Sequence, residues 1–140
     1  MEKKAVGVKR SEATVMITYE AYKLIHIFGI LLLIFSLGGL CLQATDDRAG
    51  PSGRGRKLLG FAHGAAAVII IVAGFGLLAR LSISHGVTWP WWVWAKVGIW
   101  VLLGITPLVI RKSVTFTRSL WLGVPILGAV AAYLAIYKPL

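Results

Sequence analysis

The sequence predicts an all-α fold of a particular kind, an integral membrane antiparallel four-helix bundle, and three observations predict it. Of the 140 residues, 58% are hydrophobic and 14% are charged, with a mean hydropathy of +0.81. A chain of this length cannot hide so much apolar surface in one soluble core. Four apolar runs are each about long enough to cross ~30 Å of hydrocarbon at ~1.5 Å per residue. Short connections then make sequential helices antiparallel neighbours.

The chain divides into a basic tail over residues 1–18 and a single transmembrane domain over residues 19–140. The first span, about residues 22–42, is "YKLIHIFGILLLIFSLGGLCL". Its apolar core exceeds the roughly 7–15 residues of a secretory signal, and "LGGLC" lacks the small residue wanted before a lipoprotein cysteine. It is therefore read as a retained span. "QATDDRAGPSGRGRK" follows, turn chemistry leading into a basic cluster, and reads as a solvated connector. The second span is about residues 58–81 and the third about 91–110, joined by "SISHGVTWP". The fourth, about 120–137, follows "RKSVTFTRS". Close helix packing in lipid needs small residues, supplied by Gly60, Gly64, Ala67, Gly74 and Gly76 in the second span and by Gly128, Ala129, Ala131 and Ala132 in the fourth. Pro107 and Pro125 each lack an amide donor and predict local bends.

The net charge of +10, from 15 Lys and Arg against 5 Asp and Glu, falls between the apolar runs. There it meets lipid headgroups and sets topology rather than binding nucleic acid. The positive charges nearly balance across the two faces, so orientation turns on the tail. A start at Met16 places the Arg-rich loops inside, whereas "MEKKAVGVKRSEATV" as a cytoplasmic arm inverts the answer. Cys41 is the single cysteine, which excludes an intramolecular disulfide and a CxxC motif. Asp46 and Asp47, the only aspartates, lie in a loop. No GxGxxG, Walker loop, nucleophile elbow or HExxH occurs, which argues against a hydrolase or metalloprotease.

Ionisable residues at membrane depth are costly enough to mark candidate sites. Three qualify: His26, His63 and Lys96. Let side A be the face at which the first helix begins and side B the other. His26 and Lys96 then lie shallowly below side A and His63 shallowly below side B, with roughly 15 Å of axial separation between the histidines. At side A, Tyr19, Tyr22, His26 and Gly29 share one face of the first helix, and Trp92, Lys96 and Trp100 share one face of the third. His85 approaches from the loop and Glu20 lies near the mouth.

Each has two readings. Lys96 either snorkels to side A with its stem between Trp92 and Trp100, or acts as a second ligand, propionate partner, proton carrier or candidate catalytic group. His26 is either a packing residue hydrogen-bonded to a tyrosine or a carbonyl, or the ligand of a haem iron, with Gly29 giving room for the flat ring and Tyr22, Trp92 and Trp100 walling it. His63, flanked by Gly60 and Gly64, reads as an interhelical hydrogen bonder, and His85 as solvated.

"YKLIHIFGILLL" in the first span and "WAKVGIWVLLGI" in the third resemble the first and third helices of small bacterial membrane proteins of the SirB type and, more distantly, HemJ-type protoporphyrinogen oxidases. The shared elements are a histidine early in helix 1 and Trp-x-Lys early in helix 3, here His26 and Trp94 with Lys96. The HemJ resemblance implies haem binding and oxidation of protoporphyrinogen by His26 and Lys96. An arginine-bearing "PRL"-like element expected after helix 1 is replaced by "GGLCLQATDD".

The leading expectation is a small multi-pass protein of the bacterial inner membrane, acting as a helical accessory or interaction subunit with a b-type haem near side A. The alternatives are a HemJ-like enzyme and a purely structural subunit without a cofactor. Its partners are the lipid bilayer and either other membrane-protein subunits or further copies of itself.

Overall fold

The computed structural model describes residues 18–45, 53–81 and 89–137. Within them the chain forms four helices and no strand: α1 (Tyr19–Thr45), α2 (Arg54–Arg80), α3 (Trp91–Lys112) and α4 (Val114–Tyr137). All four are long and apolar enough to cross a membrane, as expected of a multi-pass membrane protein. Their outer faces carry the same chemistry as their inner ones. Phe35 is 73% exposed, Phe61 76% and Leu122 73%, and helices apolar all round are stable only where the surrounding solvent is itself apolar.

The helices overrun the apolar runs that predict them. α1 starts at Tyr19 and continues to Thr45, and α2 takes in the Arg54–Lys57 segment expected in the connector, because helical hydrogen bonding does not stop where hydrocarbon ends. The largest departure is "RKSVTFTRS", expected as a loop. Only Ser113 in it is non-helical. Ser113 takes an extended conformation and closes α3 by donating its amide to Val109 O at 3.2 Å. It then opens α4 by accepting the Thr117 amide at 3.3 Å on its carbonyl and the Phe116 amide at 3.5 Å on its Oγ. One N-cap residue thus performs the whole turn. Pro107 and Pro125 lie inside α3 and α4, and both helices continue through them.

Helix α1 is the centre of the assembly, packing most extensively on α2 and also on α3 and α4. Leu33, Leu37, Leu40 and Cys41 of α1 meet Ala66 of α2, Ile110 of α3 and Val124 of α4 in the main core. A smaller cluster of Trp92, Val93 and Leu134 lies toward side A.

The α1–α2 seam has a heptad period. Tyr22, Gly29, Ser36 and Gln43 recur every seven residues and so share one face. A methyl at Gly76 would run into the Tyr22 ring; one at Gly29 would meet Ile69 Cγ2 at 2.9 Å and Ile70 Cγ1 at 3.0 Å; one at Gly55 would meet Gln43 Nε2 at 2.8 Å. Gly39 is similarly closed by Leu59 at 2.9 Å. Close packing therefore falls on these glycines. Gly60 and Gly64, expected as packing positions, are exposed with open space where their side chains would be. In α4, Ala129 and Ala132 likewise face outward, and Val124 and Leu134 make the buried contacts.

Candidate functional site

At the side A end, α2 forms a wall that the sequence assigned only to packing. Gly74 follows Ile70 by one helical turn, so no side chain covers the Ile70 carbonyl. The His26 ring occupies that opening: its Cε1 lies 3.3 Å from where a methyl at Gly74 would be, and its Nδ1 is 2.9 Å from Ile70 O. A carbonyl oxygen only accepts, so Nδ1 carries the proton and donates. Nε2 is left as the nitrogen with a lone pair.

Lys96 lies on α3 with its Nζ 4.7 Å from the centroid of the Trp92 ring, a cation–π arrangement. Its ammonium is within electrostatic range of the His26 imidazole. Trp92 is buried. Trp100 reaches α2 by donating Nε1–H to Ala67 O at 3.0 Å. Tyr22 stacks over Gly76. Of the five residues named from sequence, Tyr22, His26, Trp92 and Lys96 lie at the side A end of the bundle, whereas Trp100 is anchored deeper, at Ala67 in the middle of α2. Tyr22, His26 and Trp100 all engage α2, and that third wall was not anticipated. The signals for it were Gly74 and Gly76, spaced to meet His26 and Tyr22 across an antiparallel seam. The room expected beside Gly29 is filled by Ile69 and Ile70, so a macrocycle cannot lie in the α1–α2 seam at that level.

The tryptophans of "WPWWVWAK" divide. Trp91 and Trp94 are exposed at the headgroup level. Trp89 packs between Phe75 and Trp94, with ring centroids 5.5 Å and 5.4 Å apart. Glu20 occupies the first turn of α1, where a negative charge complements the helix dipole. His85, Asp46 and Asp47 lie outside the described residues.

His63 departs from expectation. It is 5% exposed, and neither ring nitrogen has a hydrogen-bond partner. The Gly104 carbonyl of α3 stands beside the ring outside hydrogen-bond geometry. The interhelical partner beside it is thus a backbone carbonyl, in a contact that falls short of full hydrogen-bond geometry. Seven residues separate it from Ile70, the partner of His26, so the two histidines are at least roughly 10 Å apart along α2. That is too far for both to ligate one metal ion at ~2 Å. Among the described residues no three His, Cys, Asp or Glu side chains converge as a metal-ligand group.

Comparison with protein-family models, with curated proteins and with solved structures returned no match.

Proposed function

We propose that this chain is a small multi-pass membrane subunit that binds a b-type haem near side A, with His26 as the residue that would hold its iron. The observation that carries the reading is the His26 Nδ1–H to Ile70 carbonyl hydrogen bond of 2.9 Å. Ligating histidines characteristically donate the other ring nitrogen to a carbonyl or carboxylate, which holds the tautomer and aims the ring. The donor set fits the group. His26 supplies a neutral nitrogen, which suits haem iron, and Lys96 supplies a cation at the same depth to pair a propionate. The tight Gly29 contact excludes the α1–α2 seam as the place for the ring. When bound, the haem would supply one-electron redox chemistry. The protein's part is to orient Nε2, hold the ammonium nearby and keep the site at the membrane interface.

The test is an absorption spectrum of the protein purified in mild detergent after expression with ample haem. A Soret band that moves on dithionite reduction is expected. His26→Ala should abolish it and His63→Ala should leave it intact. Absence of haem absorption, or loss with His63→Ala alone, overturns the assignment. Growth of a strain lacking protoporphyrinogen oxidase on expression of this chain would instead favour a HemJ-like enzyme over a binding subunit.

A further inference from the structure

Among the described residues, three of the four buried side-chain polar atoms without a partner are placed by the helix register in one seam: Nδ1 and Nε2 of His63 and Oε1 of Gln43. The heptad stripe of α1 relates them. Gly29 meets Ile70 and Gln43 meets Gly55. Ser36 lies midway between Gly29 and Gln43 on the same face, which places it opposite His63, midway between Ile70 and Gly55. Ser36 is fully buried, and its Oγ donates to Leu33 O at 2.8 Å. What remains for His63 is the acceptor side of that hydroxyl. From α3 comes the Gly104 carbonyl, which is also an acceptor.

A neutral imidazole presents one N–H donor and one bare acceptor nitrogen. Opposite two oxygens, the donor can be matched and the bare nitrogen cannot. An imidazolium presents two donors and matches both. The geometry points to a proton-binding site in the α1–α2 seam, made by His63, Ser36 and the Gly104 carbonyl and reached from side B past Gln43. The proton is delivered by hydronium from the side B aqueous phase. It bonds to the bare ring nitrogen through that lone pair, releasing water, and it returns to water by the reverse step.

Toward side A the interior is packed by Leu33, Ala66 and Ile70. Toward side B Leu59 packs against Gly39, and beyond it the stripe continues with the amide of Gln43 over Gly55, the polar group along that path. Among the described residues no other charged group lies at the level of His63 on the elements packed against it. Arg56 and Lys57 stand about two turns nearer side B on α2, Arg111 and Lys112 end α3, and Arg118 is in the second turn of α4. Cys41 is the titratable group of α1 on that side, and His26 and Lys96 lie toward side A. The site is separate from His26 and does not depend on haem there.

The experiment is a titration of the full chain, labelled with 15N-histidine, in lipid nanodiscs between about pH 4 and about pH 9, the range in which histidine exchanges protons. The two His63 nitrogens should convert from an unlike pair, the neutral tautomer, to a like pair, the imidazolium. His63→Gln identifies the signal by its loss. If that variant does not fold, His26→Ala and His85→Ala identify it by elimination. Ser36→Ala should displace the midpoint, and Gln43→Leu should slow exchange of the ring with water. An unlike pair throughout the range overturns the proposal, as does a midpoint indifferent to Ser36→Ala. Exchange unaffected by Gln43→Leu overturns the route.

Discussion

The decisive residues of this chain are glycines that receive another helix's side chain. Gly76 accepts the ring of Tyr22, and Gly74 lets His26 reach a carbonyl already engaged in the α2 helix. A carbonyl oxygen has two lone pairs, so the second bond adds to the helical one without replacing it. Forcing a methyl against a packed ring typically costs about 1–3 kcal/mol. Gly76→Ala should therefore destabilise the detergent-solubilised protein by about that amount, measured by denaturant unfolding. Tyr22→Ala in the same background should recover most of the loss, since the clash then has no partner. If the two effects simply add, the contact is not the cause. Of the candidate site, His26, Lys96 and their aromatic neighbours were legible from sequence, because ionisable residues in apolar runs are conspicuous and helical spacing groups them. The partner of His26 was not legible: Ile70 O is a backbone atom, and no residue type announces it.

Among helices that meet in lipid, association follows packing rather than burial of apolar surface, so which small residues face a neighbour matters more than how many there are. The sequence pointed to Gly60, Gly64, Ala67, Gly74 and Gly76 in α2; Gly74 and Gly76 do receive α1 side chains, but Gly60 and Gly64, spaced as GxxxG, face outward. The rest of the seam uses Gly29, Gly39 and Gly55, distributed over two helices in antiparallel register. A motif within one helix carries no information about the direction it faces. At Gly29 even the backbone approaches, with Ile70 N 3.3 Å from the place of a methyl. Gly29→Ala should cost about 1–3 kcal/mol by overpacking. Gly60→Ala and Gly64→Ala should change stability by no more than about 0.5 kcal/mol, as exposed substitutions do, with helix propensity offering a small gain. Equal losses at all three positions in thermal or denaturant unfolding would contradict this register. The turn at Ser113 is a similar lesson. Apolar runs locate the middle of a span, while the helix end depends on where a capping hydroxyl and carbonyl meet the next helix's amides.

Across the whole molecule, four antiparallel spans return the chain to the face where it began, so Glu20 and Tyr137 share side A while Gly53 and Ser113 share side B. The chain has one cysteine, Cys41, and it is buried, which makes the native protein a quiet background for labelling. Single cysteines at Glu20 and Tyr137 should react with a membrane-impermeant maleimide from one face of a sealed vesicle, and those at Gly53 and Ser113 from the other. Labelling of Glu20 and Tyr137 from opposite faces would overturn the four-span topology. The same experiment fixes which side faces the cytoplasm, a point the nearly balanced basic residues leave open.

The sequence by itself determined the class of solvent and the number of helices. Both follow from the length and polarity of local runs measured against the thickness of a bilayer. Only the tertiary structure decided that α1 lies at the centre, that α2 walls the His26 site, and that His63 is buried with two unpartnered nitrogens. These depend on the rotation and register of helices apolar on every side. With no hydrophobic face to orient them, the fit of rings into glycine gaps and of donors onto backbone carbonyls sets the arrangement.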